Sequence, residues 1–460
     1  MGFVNRVDEL TSLEGWWDRK GATMGLVWGR KRVGKTALIG EFAKRRKSII
    51  HTGRGVGLAE ELRTLTGVIP AELDLGGRDL SSNPFTGWAD VLTTLARAAA
   101  EEPLLLVLDE FPELRASDPA IEQTLRAVWD QVRSRTKLRL LLCGSAVRTM
   151  QAIAEERSAL HGRFDLRLPV HPFRPHEAAL MLRQLAPADR AMVWGICGGT
   201  PLYLSWWDQS ADVAHNLRKL ACSPGALLRT EAELVLATDG VAGGLAKQVL
   251  GAIAVGKNRH SEIVDSVTGD RQVSRVLDDL EKVRLVERVV PVTEDPRART
   301  GRTMYRIADN YLAFWLSLLE RYSGEIDRGL GTTIAKLVHK RLDDHMGPRY
   351  EEAFRSHLRR LAAAGEFGDE VAAVGPFWTR GGSQVEIDAV VLSGIPEMAV
   401  AVGECKWQQR VNAASLRTKL VENARALPRV VTEPILIIGA REAVVDSDGV
   451  RSVTAGDIFG

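Results

Sequence analysis

Apolar residues fall along this chain first in unbroken runs, then at helical spacing, and near the end in alternation. "GLVWGRKRVGKTALIGEF" reads as an apolar strand, a glycine-rich turn and a helix. "EEPLLLVLDEFPEL" and "KLRLLLCGS" are uninterrupted runs of the kind buried on both faces of a parallel sheet, and each ends in polar residues. From about Pro175 to Thr238 the spacing is helical, as in "HEAALMLRQL" and "PLYLSWWD". Two short helices and a longer one follow, then a hairpin made from "LVERVVPV" and "TMYRIAD". The longer helix keeps Val273, Val276, Leu277 and Leu280 on one face, with Arg271, Arg275 and Lys282 toward its polar sides. "NYLAFWLSLLERY" predicts an aromatic-rich packed helix.

The last part opens on the helical "DDHMGPRYEEAFRSHLRRLAAAG" and continues with three strand-like segments, "VAAVGPFWTR", "QVEIDAVVLSG" and "MAVAVGECKW". Turns are expected at Gly381–Gly382 and Gly394–Pro396. A basic helix, "NAASLRTKLVENARAL", and a strand, "EPILIIGA", complete a compact α/β unit.

The first motif carries phosphate chemistry. Gly29 to Thr36 match a glycine, four residues and Gly-Lys-Thr in a strand–loop–helix context. The set Gly29, Arg30, Val33, Gly34, Lys35, Thr36 and Ala37 is expected to cradle ATP. Backbone amides of the loop point at phosphate, Lys35 reaches the terminal phosphates and Thr36 ligates Mg2+. Asp109 and Glu110 end the second run at the sheet edge where ligands bind. Asp109 is the carboxylate on the magnesium side, and Glu110 is placed to polarise the attacking water. Ser145 has two readings, sensing the terminal phosphate or holding water on one hand, and capping a turn or helix on the other. Arg163 also has two, acting on a neighbouring copy's ATP or lying on the surface.

Composition narrows the field only a little. The chain has 460 residues, 45% hydrophobic and 26% charged, which suits about three globular domains. A formal charge of +2 leaves no global field for nucleic acid, so any basic footprint is local. Cys143, Cys197, Cys222 and Cys405 are widely spaced and form neither a ligand cluster nor a disulfide framework. The charged start "MGFVNRVDEL" is unlike a signal peptide, and no run reaches the length of a membrane span. A cytoplasmic protein is expected.

"FVNRVDEL", "GRKRVGKTAL", "LLLVLDEFPEL", "LLCGSAV", "HGRF" and "CGGTPLYL" together resemble, in order, the prokaryotic ATPase family related to the AAA+ and STAND NTPases, which carries an uncharacterised C-terminal domain. The resemblance implies that the segment containing Phe3 and Arg6 lies beside adenine and that Pro201 contacts nucleotide from a helical lid. It also agrees with a winged helix in the middle of the chain. Such a module either binds DNA through its third helix or serves only for packing. The acidic Asp278, Asp279 and Glu281 weaken base readout, while the arginines of "TEDPRARTGR" suit a phosphate backbone.

In the C-terminal unit, alternation puts Glu386 with Asp388 and Glu404 with Lys406 on shared faces. If the strands pair, Asp388 and Glu404 hold a divalent metal, and Lys406 orients or deprotonates a water. Glu351 or Glu352 supplies a further carboxylate. This pattern resembles the PD-(D/E)xK nuclease superfamily, which favours Glu351, although Ile387 stands where a proline usually precedes the aspartate.

The expected fold class is therefore α/β: an AAA+-like P-loop NTPase (1–170), a helical lid (171–238), a winged helix (239–308), a helical connector (309–344) and a restriction-endonuclease-like domain (345–460). The expected activity is ATP binding and hydrolysis coupled to DNA engagement or metal-dependent DNA processing. The alternative is a nucleotide-switched scaffold whose nuclease-like domain is silent. DNA and a second copy of the chain, through the ATPase domain, are the expected partners, with no membrane.

Overall fold

The computed structural model describes residues 3–238, 243–268, 272–297, 301–380 and 385–460. Arg271, Arg299, the Gly381–Gly382 turn and Gln384 lie outside the described residues. By internal contacts the chain divides into two units, Met1–His171 and Pro172–Gly460.

The first unit is built on five parallel strands: β1 (Thr23–Trp28), β2 (Ser48–Thr52), β3 (Leu104–Asp109), β4 (Leu138–Gly144) and β5 (Leu166–Pro169). Their order across the sheet is β2-β3-β4-β1-β5. Every residue of β3 and β4 is buried, which explains their unbroken apolar runs. Side chains on opposite faces of these strands feed two separate cores. Leu105, Val107 and Leu141 pack with Leu13, Trp16, Leu38 and Phe42. Leu104, Leu106, Leu108 and Leu140 pack with Leu62, Trp88, Leu125 and Trp129. Because β4 lies between β1 and β3, its carboxyl end falls between the loop after β1 and Asp109.

The second unit begins with helices that include Pro187–Cys197, Pro201–Trp206 and Val213–Leu220. Helices Gly244–Ala254, His260–Ser266 and Val273–Lys282 then lead into an antiparallel pair, β6 (Val286–Val289) and β7 (Met304–Ile307). Val273, Leu277 and Leu280 are buried on the third of these helices, the apolar face that its periodicity predicts. "NYLAFWLSLLERY" is less regular than a single helix. One α-helical stretch, Asn310–Phe314, opens into a wider π turn over Trp315–Leu319 and a tight turn over Glu320–Tyr322. Its aromatic residues Tyr311, Phe314 and Trp315 are nevertheless buried.

A long helix, Leu342–Ala363, backs the C-terminal sheet. That sheet has the order β14-β12-β10-β9-β8. β8 (Val371–Trp378), β9 (Glu386–Ser393) and β10 (Met398–Cys405) are antiparallel neighbours, whereas β10, β12 (Val430–Ala440) and β14 (Arg451–Thr454) run parallel. The helix Ala413–Ala424 makes the connection between β10 and β12. Short β11 (Arg410–Asn412) and β13 (Ala443–Val445) form a separate parallel pair.

The segment joining β6 and β7 is packed onto the edge strand β8. Val292 N donates to Pro376 O at 2.8 Å, Trp378 Nε1 to Arg302 O at 3.2 Å, and Arg380 to Gly301 O at 2.8 Å. A Cβ on Gly375 would stand 3.1 Å from Val292, so the glycine lets the two backbones approach. These bonds satisfy part of an otherwise open sheet edge. The same segment, with Arg297 exposed and Arg302 paired with Glu294, is where phosphate-backbone contacts are expected from sequence.

Candidate functional site

The first unit gathers its polar residues at the carboxyl ends of β1, β3 and β4. Gly34 turns the chain into the Lys35–Ala43 helix at φ 91°, a torsion that glycine adopts without strain. A Cβ on Gly29 would collide with the Val170 carbonyl, so this position also needs a glycine. Lys35 is only 5% exposed and donates from Nζ to the carbonyls of Gly29 (2.8 Å) and Arg30 (3.0 Å). Burial lowers its pKa, opposed by Cys143, Glu110 and Asp109 nearby. Thr36 Oγ1 donates to Asp109 Oδ2 at 3.1 Å, which brings a hydroxyl and a carboxylate oxygen to one spot. Oxygen donors of this kind, completed by phosphate and water, fit a hard divalent cation.

Glu110 holds a left-handed backbone (φ 46°), and its Oε2 accepts from Ser145 Oγ at 2.8 Å and Ser145 N at 3.3 Å. For a non-glycine residue that conformation costs on the order of 1 kcal/mol or more, so its neighbours must impose it. Asp109, Glu110 and Ser145 are thus brought together with Lys35 and Thr36. Arg6, also left-handed, sends NH2 to Val33 O at 2.6 Å and pairs with Glu9 at 2.7 Å. It therefore holds the N-terminal segment, with Phe3 partly buried, against the phosphate loop. Ala37 is exposed on the first turn of the following helix. Arg163 makes a two-pronged pair with Asp130, at 3.0 and 2.6 Å. Pro201 opens a helix of the second unit, after Gly198 at φ 64° and Gly199, whose missing Cβ leaves room for Phe173.

The C-terminal cluster is built across two strands. Gly403 pairs with Ala389, and the next step of that antiparallel register sets Glu404 opposite Asp388. Lys406 Nζ lies 2.7 Å from Glu404 Oε1 and 3.7 Å from Asp388 Oδ2. Asp388 Oδ2 also accepts from Cys405 N at 2.8 Å. Burial raises the Asp388 carboxyl to about 6, with Glu404 adding to the shift. Glu351 rises to about 7, through burial first and Asp388 second. Although burial disfavours its charge, Asp388 and Glu404 hold the Lys406 ammonium above its ordinary value. Two carboxylates and a lysine therefore meet, and Glu351 is close enough to feel Asp388. Among the described residues no group of three or more His, Cys, Asp or Glu is spaced to hold a metal ion. The cluster offers such an ion two carboxylates, Asp388 and Glu404, and both are already bonded, to Cys405 N and to Lys406 Nζ.

Several residues here carry no motif that sequence reasoning could find. Lys419, on the Ala413–Ala424 helix, lies 3.6 Å from Glu404 Oε1. Arg355 donates to Asp388 O at 2.8 Å and to Glu352 Oε2 at 2.8 Å. Glu352 is shared with Arg306 of β7 (3.0 Å) and Arg359 (2.7 Å). Glu352 is therefore an ion-pair hub, whereas Glu351 faces the Asp388 cluster.

No helix among the described residues is long and apolar enough to cross a membrane. Residues 3–206 match the family model described as an ATPase domain predominantly from Archaea. Residues 315–418 match one described as archaeal and bacterial proteins of unknown function. An uncharacterised protein of Methanocaldococcus jannaschii is 24% identical over 414 residues, 88% of each chain. An uncharacterised ATP-binding protein of the same organism is 47% identical over 45 residues, 10% of this chain and 76% of that one. A Walker-type ATPase of Pyrococcus abyssi shares the fold with a TM-score of 0.52 at 21% identity, covering 68% of this chain and 96% of its own. The chain thus joins an archaeal-type ATPase domain to a C-terminal domain of a family whose function is unknown.

Proposed function

We propose that this protein is a magnesium-dependent ATPase that couples its nucleotide state to DNA engagement or metal-dependent DNA processing by its C-terminal domain. What supports this most is that Lys35 and Thr36, on the helix after β1, and Asp109, Glu110 and Ser145, at the ends of β3 and β4, meet at one edge of a parallel sheet. With ATP present, Lys35 leaves the Gly29 and Arg30 carbonyls for the terminal phosphates. Thr36 and Asp109 hold Mg2+, which when bound neutralises charge developing on the phosphates. Glu110 accepts a proton from the attacking water and Ser145 orients it. Phe3 and Arg6 flank adenine, Pro201 closes from the lid, and Arg163 exchanges Asp130 for a neighbouring copy's ATP. The division at 170, 238, 308 and 344 assigns these tasks to separate modules.

In the C-terminal domain, Asp388 and Glu404 would hold a divalent ion, and Lys406, kept as an ammonium, would orient a water by donating to it, while Glu351 lies beside Asp388 without making a third ligand. Raised Asp388 and Glu351 carboxyls suit a site waiting for positive charge. A second reading, a nucleotide-switched scaffold with a silent nuclease-like domain, is favoured by the hairpin bonded to β8. In that reading the 239–308 module serves for packing, as its bonds to β8 suit.

Two assays separate these readings. Magnesium-dependent phosphate release that is lost in Lys35→Ala supports the ATPase. Metal-dependent scission of DNA by the wild type that is lost in Asp388→Ala and Lys406→Ala supports the nuclease. Intact ATP turnover with no scission of varied DNA and RNA selects the scaffold, and scission unchanged in both variants overturns the site assignment.

A further inference from the structure

A buried polar cluster lies beside Asp109, on the far side of β3 from the phosphate loop. His51, near the end of β2, is 1% exposed, and Glu61, on the Leu58–Gly67 helix, is 0% exposed. Their side chains meet at 2.9 Å, His51 Nε2 to Glu61 Oε2. Glu61 Oε1 accepts from Arg54 N at 2.9 Å and Val56 N at 3.3 Å. One carboxylate therefore ties β2, the loop after it and the next helix together. Such a pair is expensive to bury, and an apolar pair of similar volume would often be as stable or more so.

The loop that it holds, Gly53 to Gly57, is pressed against the segment that carries the ATPase carboxylates. Thr52 pairs with Asp109 in the sheet, and Gly53 N donates to Asp109 O at 2.9 Å. A Cβ on Gly53 would stand 2.8 Å from Leu114 Cγ and 2.9 Å from the Glu110 carbonyl oxygen. A Cβ on Gly55 (φ 69°) would stand 2.7 Å from Glu113 Oε2. Between these contacts lies Glu110, whose left-handed backbone must be imposed from outside. The loop touches Glu110 on its backbone side, and Ser145 touches it at the carboxylate.

We infer that His51 and Glu61 are positioning residues for ATP hydrolysis, holding the Gly53–Gly57 loop as a backstop that keeps Glu110 in its left-handed conformation, aimed at the attacking water. This rests on the reading of Glu110 as the carboxylate that polarises the water. Burial keeps the His51 imidazole toward its neutral form, against the pull of Glu61, so the pair acts as a hydrogen-bonded brace. The brace leaves the phosphate loop alone, since Lys35 and Gly34 follow β1, across β4 and β3 from β2.

The test compares ATP turnover and nucleotide affinity in His51→Ala, Glu61→Ala and His51→Gln, each counted per nucleotide-binding site. His51→Ala and Glu61→Ala are expected to lower kcat by about tenfold or more, a fraction of what a general base supplies. The Kd for a fluorescent ATP analogue stays within about twofold. His51→Gln, which keeps a donor toward Glu61, restores most of the turnover. In a Glu110→Gln background, His51→Ala costs little further turnover, because both changes remove the same function. Wild-type kcat in the alanine variants overturns the inference, as does a full additive loss on top of Glu110→Gln. If Glu110→Gln itself turns over like the wild type, the reading of Glu110 fails first and the inference falls with it.

Discussion

Ser145 Oγ donates to Glu110 Oε2 at 2.8 Å, across the carboxyl ends of the adjacent strands β4 and β3. Removing the hydroxyl leaves a partly buried carboxylate with a weaker hold on its direction. Ser145→Ala is expected to lower kcat for ATP on the order of tenfold. Nucleotide Kd should stay within about twofold, which steady-state kinetics and a binding titration check together.

Lys35 is the buried cation of the phosphate loop, resting on two backbone carbonyls. Its charge-assisted bonds to phosphate are each worth about 1.5–3 kcal/mol, so Lys35→Ala should weaken ATP binding by about 10- to 100-fold. Calorimetry on the full chain measures this directly. Chelation of magnesium should abolish turnover in the wild type, and Asp109→Asn should raise the magnesium needed for half-maximal rate by about tenfold or more.

Glu351 and Asp388 are raised to about 7 and about 6, so the metal-free folded protein binds more protons than the unfolded chain between about pH 4.5 and 7. Their contribution to stability is present below the unfolded values and lost as pH rises through the folded ones. In chelator, thermal melting should therefore shift upward as pH falls from 8 to about 5.5. Glu351→Gln with Asp388→Asn should flatten that slope, and a divalent cation at pH 7.5 should stabilise the wild type but not this variant.

Glu352 behaves in the opposite sense. Despite burial, Arg306, Arg355 and Arg359 hold its carboxyl well below the usual range. Its contribution is present above about pH 4.5 and lost in stronger acid. Glu352→Gln leaves those guanidiniums without their shared carboxylate, at a cost of about 2–3 kcal/mol for a pair network with some solvent access. Denaturant melts at pH 7 check this. Replacing Arg359 alone, the most exposed partner, should cost about 0.5–1 kcal/mol.

These outcomes depend on features of unequal legibility. The strands ending at Asp109 and Gly144 were readable because burial on both faces demands an unbroken apolar run. The phosphate loop was readable because its glycines, lysine and threonine each answer a local need. Asp388, Glu404 and Lys406 could be grouped because strand alternation fixes which side chains share a face. Nothing local encodes the placing of β4 between β1 and β3, which sets Ser145 beside Glu110. The three-residue strands β11 and β13 are too short for a periodic signal. Arg306 and Glu352 are separated by 46 positions, and only the tertiary fold brings their side chains within 3.0 Å. His51 and Glu61 carry no sequence signal for a related reason, since a buried polar pair looks like any histidine and glutamate until the fold encloses it. The wider turns through Trp315–Leu319 have no sequence signal that we can identify.

The central claim is that the first unit hydrolyses ATP with Glu110 at the attacking water. Single-turnover phosphate release by the full-length wild type and Glu110→Gln, with magnesium and saturating ATP, tests it most directly. The account predicts phosphate release by the wild type, a rate at least about 100-fold lower in the variant, and ATP affinity unchanged between them. Equal rates, or no magnesium-dependent release by the wild type, would contradict it.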